Sequence, residues 1–310
     1  MSAPKTLRMV DLPGLIWEFT ENDFATFALP NAGFGLLAAS VAPTLTSCSE
    51  SPGALSLLLR AAPPVILFNW ANLLIFDIAN QRLPESVTED AINKPWRPLA
   101  RGKISPIQTR QLLLAAIPVV LGLGAVLDAS WETALIMLLT WMYNDLHGGD
   151  ELSRDVIIAI AYDVFLMGSL RIALGTATET CRAVTMSTTG YQWLAMIAGV
   201  IMTTMQIQDL RDQEGDRTRG RKTWPLVVGD SVSRVWIAVC VWLWSVACVW
   251  FWEEVPHFIS AGTMALGGWI GACVLRKTGD VTAWKWWCFW QLVLYSLPVW
   301  HYHWRRDGDS

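Results

Sequence analysis

Charge is what this chain has least of. Only 16% of its 310 residues are Asp, Glu, Lys or Arg, against about 25% in ordinary soluble domains. A formal net charge of −4 offers no basic field for nucleic acid. There is no Walker-type loop and no dinucleotide fingerprint, which removes the usual nucleotide-binding readings. The six cysteines (Cys48, Cys181, Cys240, Cys248, Cys273, Cys288) are scattered, with no CxxC pair and no Cys/His cluster. That spacing predicts neither a zinc centre nor a disulfide framework, so free buried thiols are expected. Pro13 and the acids after it make the N-terminus a poor signal peptide.

What the chain has in excess is apolar: 53% hydrophobic residues and 19 Trp. Runs of about 20 apolar residues, enough to cross a bilayer, lie near 25–42, 61–81, 110–128, 132–147, 155–175, 189–212, 232–252, 257–275 and 282–302. The pattern predicts an all-α integral membrane bundle of about nine transmembrane helices, or eight if 110–147 divides differently. Residues 1–24 would form a cytosolic N-terminal segment, 25–302 the membrane domain and 303–310 a C-terminal tail. Charge placement favours nine. Lys5 and Arg8, connection 82–109 with Arg82, Lys94, Arg97, Arg101 and Lys103, connection 213–231 with Arg217, Arg219, Arg221 and Lys222, and Arg276 and Lys277 all fall on one side. On the other side, 128–132 and 252–257 hold no Lys or Arg and 176–188 holds Arg182, while the C-terminal Arg305 and Arg306 are the misfit. By the positive-inside rule the basic side faces the cytosol, and an intracellular membrane such as the endoplasmic reticulum is the expected location.

Segments two and six each run into an acid-rich stretch and then a basic loop, EDAINKPWRPLARGKIS (89–105) and GDRTRGRKTWPLVVGD (215–230). That is the outline of one domain with two related halves. On a helix through 69–81, Asn69, Asn72, Phe76 and Asn80 share a face, with Asp77 beside it. Pro84 ends or kinks that helix, and Glu85, Ser86, Glu89 and Asp90 follow. In the second stretch Asp209, Asp212 and Asp216 recur at i, i+3 and i+7. Three unpaired anions on one stripe repel one another and resist desolvation. A single stripe of this kind is often a solvated helix end. Two stripes on the same side, each trailed by a basic loop, are better read as facing cradles for Mg²⁺, which takes one or two carboxylates plus water and phosphate oxygens. Such a pair suits a diphosphate, with Arg97, Lys103, Arg221 and Lys222 as direct contacts. Departure of diphosphate leaves a carbocation that needs a dry pocket, and aromatic faces stabilise cations.

The two stretches resemble the signature regions of the UbiA superfamily of membrane prenyltransferases. The second fits through Asp209, Asp212, Asp216, Gly220, Lys222, Thr223 and Pro225. In the first, Asp90 and Arg97 match, but Asn80 to Asp90 is ten residues where the family has about eight. Glu85 or Ser86 stands where the family has its central Asp, so the second ligand of this stretch is left open between them. Segment four has YNDLHGGDE (143–151) where prenyltransferases commonly carry Tyr-x-x-x-Lys. With WEFTENDFATFALPNAGFG (17–35), this is similar to the fungal branch that includes membrane-bound UbiA-type terpene cyclases.

The resemblance implies a Mg²⁺-dependent class I terpene cyclase working on a prenyl diphosphate, farnesyl diphosphate above all, to give a sesquiterpene hydrocarbon. Asn80, Glu85, Glu89 and Asp90 would hold one metal group, and Asp209, Asp212 and Asp216 the other. Asn69, Asn72, Phe76, Asn144 and Asp145 would line the pocket, and Asp77 or Tyr143 would assist deprotonation. Asp77 reads equally as a buried residue paired with an Asn, and Tyr143 as a packed interfacial ring. The rival reading is a prenyltransferase that passes the cation to an aromatic or polyketide acceptor. A transporter fits poorly, because the acids sit at helix ends and not at mid-span. The partners expected are the prenyl diphosphate and the lipid bilayer, with no nucleic acid and no obligate protein partner.

Overall fold

Proline and the capping residues set where the helices begin. Pro13 and Pro30 stand in the first turns of α1 (Leu12–Asp23) and α2 (Leu29–Ser40), where a missing N–H costs least. A π-helical turn, Phe24–Ala28, joins the two into one bent body. The computed structural model to which these bounds belong describes residues 9–308 apart from 179, 182, 183 and 278. Lys5, Arg8 and Arg182, which entered the topology reading, lie outside the described residues. The long helix α3 (Ala54–Gln81) stops just before Pro84, as the sequence required, and that proline opens α4 (Pro84–Asn93). Ser105 and Gln108 form a capping box at the start of α5 (Pro106–Val126).

Next come α6 (Ser130–Asn144), α7 (Arg154–Ala177) and α8 (Thr188–Thr204), the last capped by Ser187. The tight turn Met205–Gln208 leads from α8 into α9 (Asp209–Arg219), which Gly220 ends at φ +80°, a left-handed conformation suited to glycine. Then follow α10 (Asp230–Phe251), α11 (His257–Leu275) and α12 (Asp280–Gly308). Among the described residues no strand forms beyond an isolated bridge between Thr46 and Met186.

Helical bodies cover all nine expected segments. Five of them, α3, α5, α7, α10 and α11, are long and apolar enough to cross a membrane by length and composition. Burial sorts these five: 61% of the apolar window of α7 and 56% of that of α3 are buried, against 17% for α5. So α3 and α7 form the centre, and α5 lies on the rim with its apolar side chains facing outward. Eleven of the 19 Trp are exposed on the outer surface, where interfacial and lipid-facing rings belong. Others are core residues whose indole N–H is satisfied, Trp287 by Thr204 (2.9 Å) and Trp290 by Ser245 (3.0 Å).

Two features differ from the sequence reading. Residues 12–23, expected within the N-terminal segment, form α1 and pack into the bundle, with Leu15 and Phe19 buried alongside Ile78, Leu99 and Ile104. The cysteines are not all free: Cys48 and Cys181 form a disulfide, while Cys240, Cys248, Cys273 and Cys288 stay as buried thiols. The two partners lie 133 residues apart. They meet because the loops after α2 and after α7 converge, Ser47 N–H donating to the Thr185 carbonyl and Ser187 N–H to that of Leu45. Spacing in the sequence carries no trace of that meeting.

Helices α2 and α7 touch closely. A Cβ on Gly35 would stand 2.6 Å from the Ser169 carbonyl carbon, closer than real Cβ atoms come. Gly35→Ala is therefore expected to lower stability by about 1–3 kcal/mol, the usual cost of overpacking, read by thermal melting in detergent. An unchanged melting temperature would contradict the close α2–α7 contact. Alkylation of the denatured, unreduced protein should label four thiols, and six after reduction; six labels without reductant would rule out the Cys48–Cys181 bond.

Candidate active site

Both long helices that lead into the acidic stretches break at the same end of the bundle. Helix α3 gives way to α4, and α8 gives way to α9. The short helices α4 and α9 then pack against each other across the mouth of a cavity. Their spacing is set by one side chain: the Asn93 amide donates to the Asp212 carbonyl (2.8 Å) and accepts from the Gly215 N–H (3.0 Å). A Cβ on Gly215 would lie 2.4 Å from Asn93 Nδ2, so the helices approach this closely only because residue 215 is glycine.

The cavity has about 1110 Å³ of empty space, a figure that includes the solvent at its open mouth. Six carboxylates (Asp23, Asp77, Glu89, Asp209, Asp212, Asp216) and four cationic side chains (Lys94, Arg97, Arg154, Arg221) line its upper part. Six against four leaves a formal excess of two negative charges. Below them the wall turns apolar and aromatic. Phe27 sits edge-on to both Tyr162 and Phe165, with ring centroids 4.8 Å apart in each case, and Phe76 stands 5.3 Å from Tyr143.

Of the residues proposed from sequence, ten line this cavity: Asp77, Asn80, Glu89, Asp209, Asp212, Asp216, Arg97, Arg221, Phe76 and Tyr143. Asp90 sits behind it, buried, both carboxylate oxygens taken by Arg97 (2.9 and 3.2 Å). Glu85 lies outside near His147 (4.0 Å). Lys103 pairs with Glu18, and Lys222 with Glu151 (2.7 Å), both away from the cavity. Asn69 and Asn72 are buried in the bundle and return their amides to carbonyls one turn earlier, Asn69 also donating to Ser169 (2.7 Å). Asn144 stands behind Asn80 and accepts from it (3.1 Å), while Asp145 pairs with Arg82 on the surface.

Several residues at the site were not proposed from sequence. Arg154, at the start of α7, makes a bidentate pair with Asp209 (2.5 and 2.8 Å) and donates to the Tyr143 hydroxyl (3.1 Å). A buried arginine opening an apolar span was the available signal. Arg219, whose side chain is 1% exposed, donates to Ser86 (2.6 Å) and Glu89 (3.1 Å) and meets Asp150 at 2.8 Å. It thereby joins α4, α9 and the α6–α7 loop. Asp23 entered with α1. No sequence pattern marks it.

Burial and neighbours tune these groups. Burial raises the Asp90 carboxyl above its ordinary value, with Arg97 and Lys94 pulling it back. Burial, with Asp209 adding to it, pushes Asp216 up to about 7 against the opposing pull of Arg221. The Asp216 Oδ2 atom is buried without a hydrogen-bond partner.

No three acidic, His or Cys side chains among the described residues are close enough to chelate one ion by themselves. Mg²⁺ does not ask for that: one or two carboxylates suffice when water and phosphate oxygens complete the octahedron. The hard oxygen donors, the excess negative charge and the unpartnered Asp216 oxygen all fit such an ion.

The UbiA prenyltransferase family matches residues 77–297 of this chain. The fumagillin beta-trans-bergamotene synthase of Aspergillus fumigatus is 26% identical over 293 residues, covering 92% of this chain and 91% of that protein. A diterpene cyclase of Hericium erinaceus is 27% identical, covering 72% and 66% respectively. In fold, the chain is similar to a UbiA homolog from Archaeoglobus fulgidus solved with GPP and Mg²⁺, with a TM-score of 0.59 and 11% identity over 91% of this chain and 99% of that one.

Arg219 gives the sharpest test of this geometry. Arg219→Met would leave Glu89 and Asp150 with Arg221 as their one arginine, 3.4 Å from each, a loss of at most about 3–5 kcal/mol, the range for a buried pair that loses its partner entirely. Thermal melting in detergent should register that loss; a variant as stable as the parent would remove Arg219 from the centre of the network.

Proposed function

The chain belongs to the UbiA prenyltransferase family, and from that premise we propose that it is a membrane-bound class I terpene cyclase that turns farnesyl diphosphate into a cyclic hydrocarbon. One observation carries the reading: a single cavity runs from a charged mouth built by both acidic stretches to a floor of aromatic and aliphatic side chains. The diphosphate belongs at the mouth and the isoprenoid chain below it. Similarity to a bergamotene synthase over 92% of the chain favours cyclisation.

Arg97 and Arg221 are placed to contact diphosphate oxygens as charge-assisted donors, with Lys94 and Arg154 at the same level. Mg²⁺ bound beside Asp212 and Asp216 would offset the excess negative charge and draw charge from the leaving group. When the carbon–oxygen bond breaks, its electron pair leaves with the diphosphate and the chain keeps the positive charge. Phe27, Phe76, Tyr143, Tyr162 and Phe165 keep water away from that cation and offer ring faces to it. Ring closure moves the charge along the chain, and loss of a proton from a neighbouring carbon forms the final double bond. Asp77, buried in the wall with its Oδ2 unpartnered, is a candidate acceptor of that proton.

We place the cavity mouth on the cytosolic side, with nine crossings, in the endoplasmic reticulum. The basic connections after α3, α9 and α11 support this, since they share the end of the bundle that carries the mouth. The disulfide at the opposite end supports it too, because such bonds persist in oxidising compartments. Arg305 and Arg306 remain on that opposite end, where Arg305 lies 3.9 Å from Glu254.

Microsomes carrying the protein, given Mg²⁺ and farnesyl diphosphate alone, should release a cyclic C15 hydrocarbon detectable by headspace gas chromatography–mass spectrometry, and EDTA should abolish it. Asp90→Ala and Asp212→Ala should each abolish diphosphate release. Farnesol alone, or no product, would favour the prenyltransferase reading and the search for an acceptor.

A further inference from the structure

Behind the aromatic floor lies a second polar cluster, which neither the metal nor the diphosphate uses. Asn31 of α2, Asp163 of α7, and Gln291 and Tyr295 of α12 make it up, and none of the four lines the cavity. Asn31 stands between Phe27, whose ring meets Tyr162 at 4.8 Å, and Phe34, whose ring meets Tyr295 at 5.1 Å. Residues four before and three after share its helix face, so Asn31 looks toward the same junction of α7 and α12. Tyr295 lies within electrostatic reach of Asp163, and the Tyr162 hydroxyl stands beside Gln291 and Tyr295. Asn31 is fully buried, and Gln291 and Tyr295 are each 1% exposed. Yet six polar atoms have no hydrogen-bond partner among the described residues: both amide atoms of Asn31, both of Gln291, Asp163 Oδ1 and the Tyr295 hydroxyl.

Buried polar groups that stay unmet are destabilising, and a carboxyl inside an apolar span marks a functional place by default. Donors and acceptors are mixed in this cluster, since Asn31 and Gln291 each offer both. A metal ion would leave the amide N–H groups unmet, and an apolar ligand would leave all six atoms so. Water gives and accepts, and a buried water makes about two to four such bonds. We infer that Asn31, Asp163, Gln291 and Tyr295 hold ordered water behind the cavity floor, and that Tyr162 seals this water from the cavity. The Tyr162 ring lines the cavity, while its hydroxyl stands beside Gln291, which does not. The role given to Tyr162 rests on the reading that the cavity generates a carbocation. With the seal in place, the cation ends by losing a proton and the product is a hydrocarbon. With the ring removed, a water oxygen gives a lone pair to the cation and a carbon–oxygen bond forms. The oxonium so made passes its proton to a second water, and the product is an alcohol. Tyr162 is thus a specificity-determining residue.

Radiolytic hydroxyl-radical footprinting of the detergent-purified wild-type chain tests the water without turnover, because radicals form from bound water as well as from bulk. Mass spectrometry should find the buried Tyr295 oxidised at a rate comparable with that of the exposed Tyr191. A Tyr295 as protected as the buried Phe19 would overturn the water site. The seal is read from products made from farnesyl diphosphate and Mg²⁺ in water labelled with oxygen-18, with thermal melting to show that each variant is folded. Tyr162→Ala should give a cyclic C15 alcohol carrying the label. Tyr162→Phe, which keeps the ring, should give hydrocarbon and no alcohol whatever its rate. Adding Gln291→Leu to Tyr162→Ala should cut the alcohol share by at least half, since water entering from the mouth does not depend on Gln291. Hydrocarbon alone from folded Tyr162→Ala, an alcohol share unmoved by Gln291→Leu, or alcohol from the wild type would each overturn the seal. A wild type that makes no cyclic product would remove the cyclase reading, and the footprint would still decide the water site.

Discussion

A charge taken out of water at the edge of a bilayer must meet an opposite charge, and the architecture of the site end follows from that requirement. Helices α4 and α9 and the α6–α7 loop have little apolar surface with which to cohere. They are held together by Arg219 between Ser86, Glu89 and Asp150, by Arg154 on Asp209 and by Arg97 on Asp90. Each of these arginines is nearly inaccessible, so the pairs act where solvent screening is weak. The apolar bundle beneath coheres mainly by packing, with Glu132 of α6 paired to Arg171 of α7 at 3.0 Å.

The same cavity thereby provides two environments a few residues apart. Its mouth is polar and charged; its floor is aromatic. The passage between them falls on α7, where Arg154 lies at the mouth and Tyr162 and Phe165, two and three turns further on, belong to the floor. One helix therefore fixes the distance between the charged end of the cavity and its aromatic end. The central position of α7 in the bundle makes that register rigid.

Much of this was written locally in the chain. Apolar runs place the helical bodies, Pro84 and Gly220 mark the breaks, and the i, i+3, i+7 spacing puts Asp209, Asp212 and Asp216 on one stripe. Long-range partnerships were not written locally. Nothing near Asp90 distinguishes a metal ligand from an arginine holder, because the difference is made by where Arg97 turns. Arg219 looked like one member of a basic loop, and Asp23 stood in the stretch 17–35 with no role of its own. Lys103 and Lys222 belong to motif-like loops, yet their long side chains settle on Glu18 and Glu151 at the surface. Asn69 and Asn72 share a helical face with Asn80, but the cavity reaches only the last turns of α3, so depth decided what periodicity could not. The cysteine pair belongs with these cases, since its partners meet only after two loops converge.

Helices α2 and α7 are tied twice, by the backbone-to-backbone approach at Gly35 and Ser169 and by the disulfide beyond their far ends. Both ties lie below Phe27, Tyr162 and Phe165, and so the wall these rings share behaves as a seam sewn shut. Parting α2 from α7 would break a covalent bond as well as a packed contact.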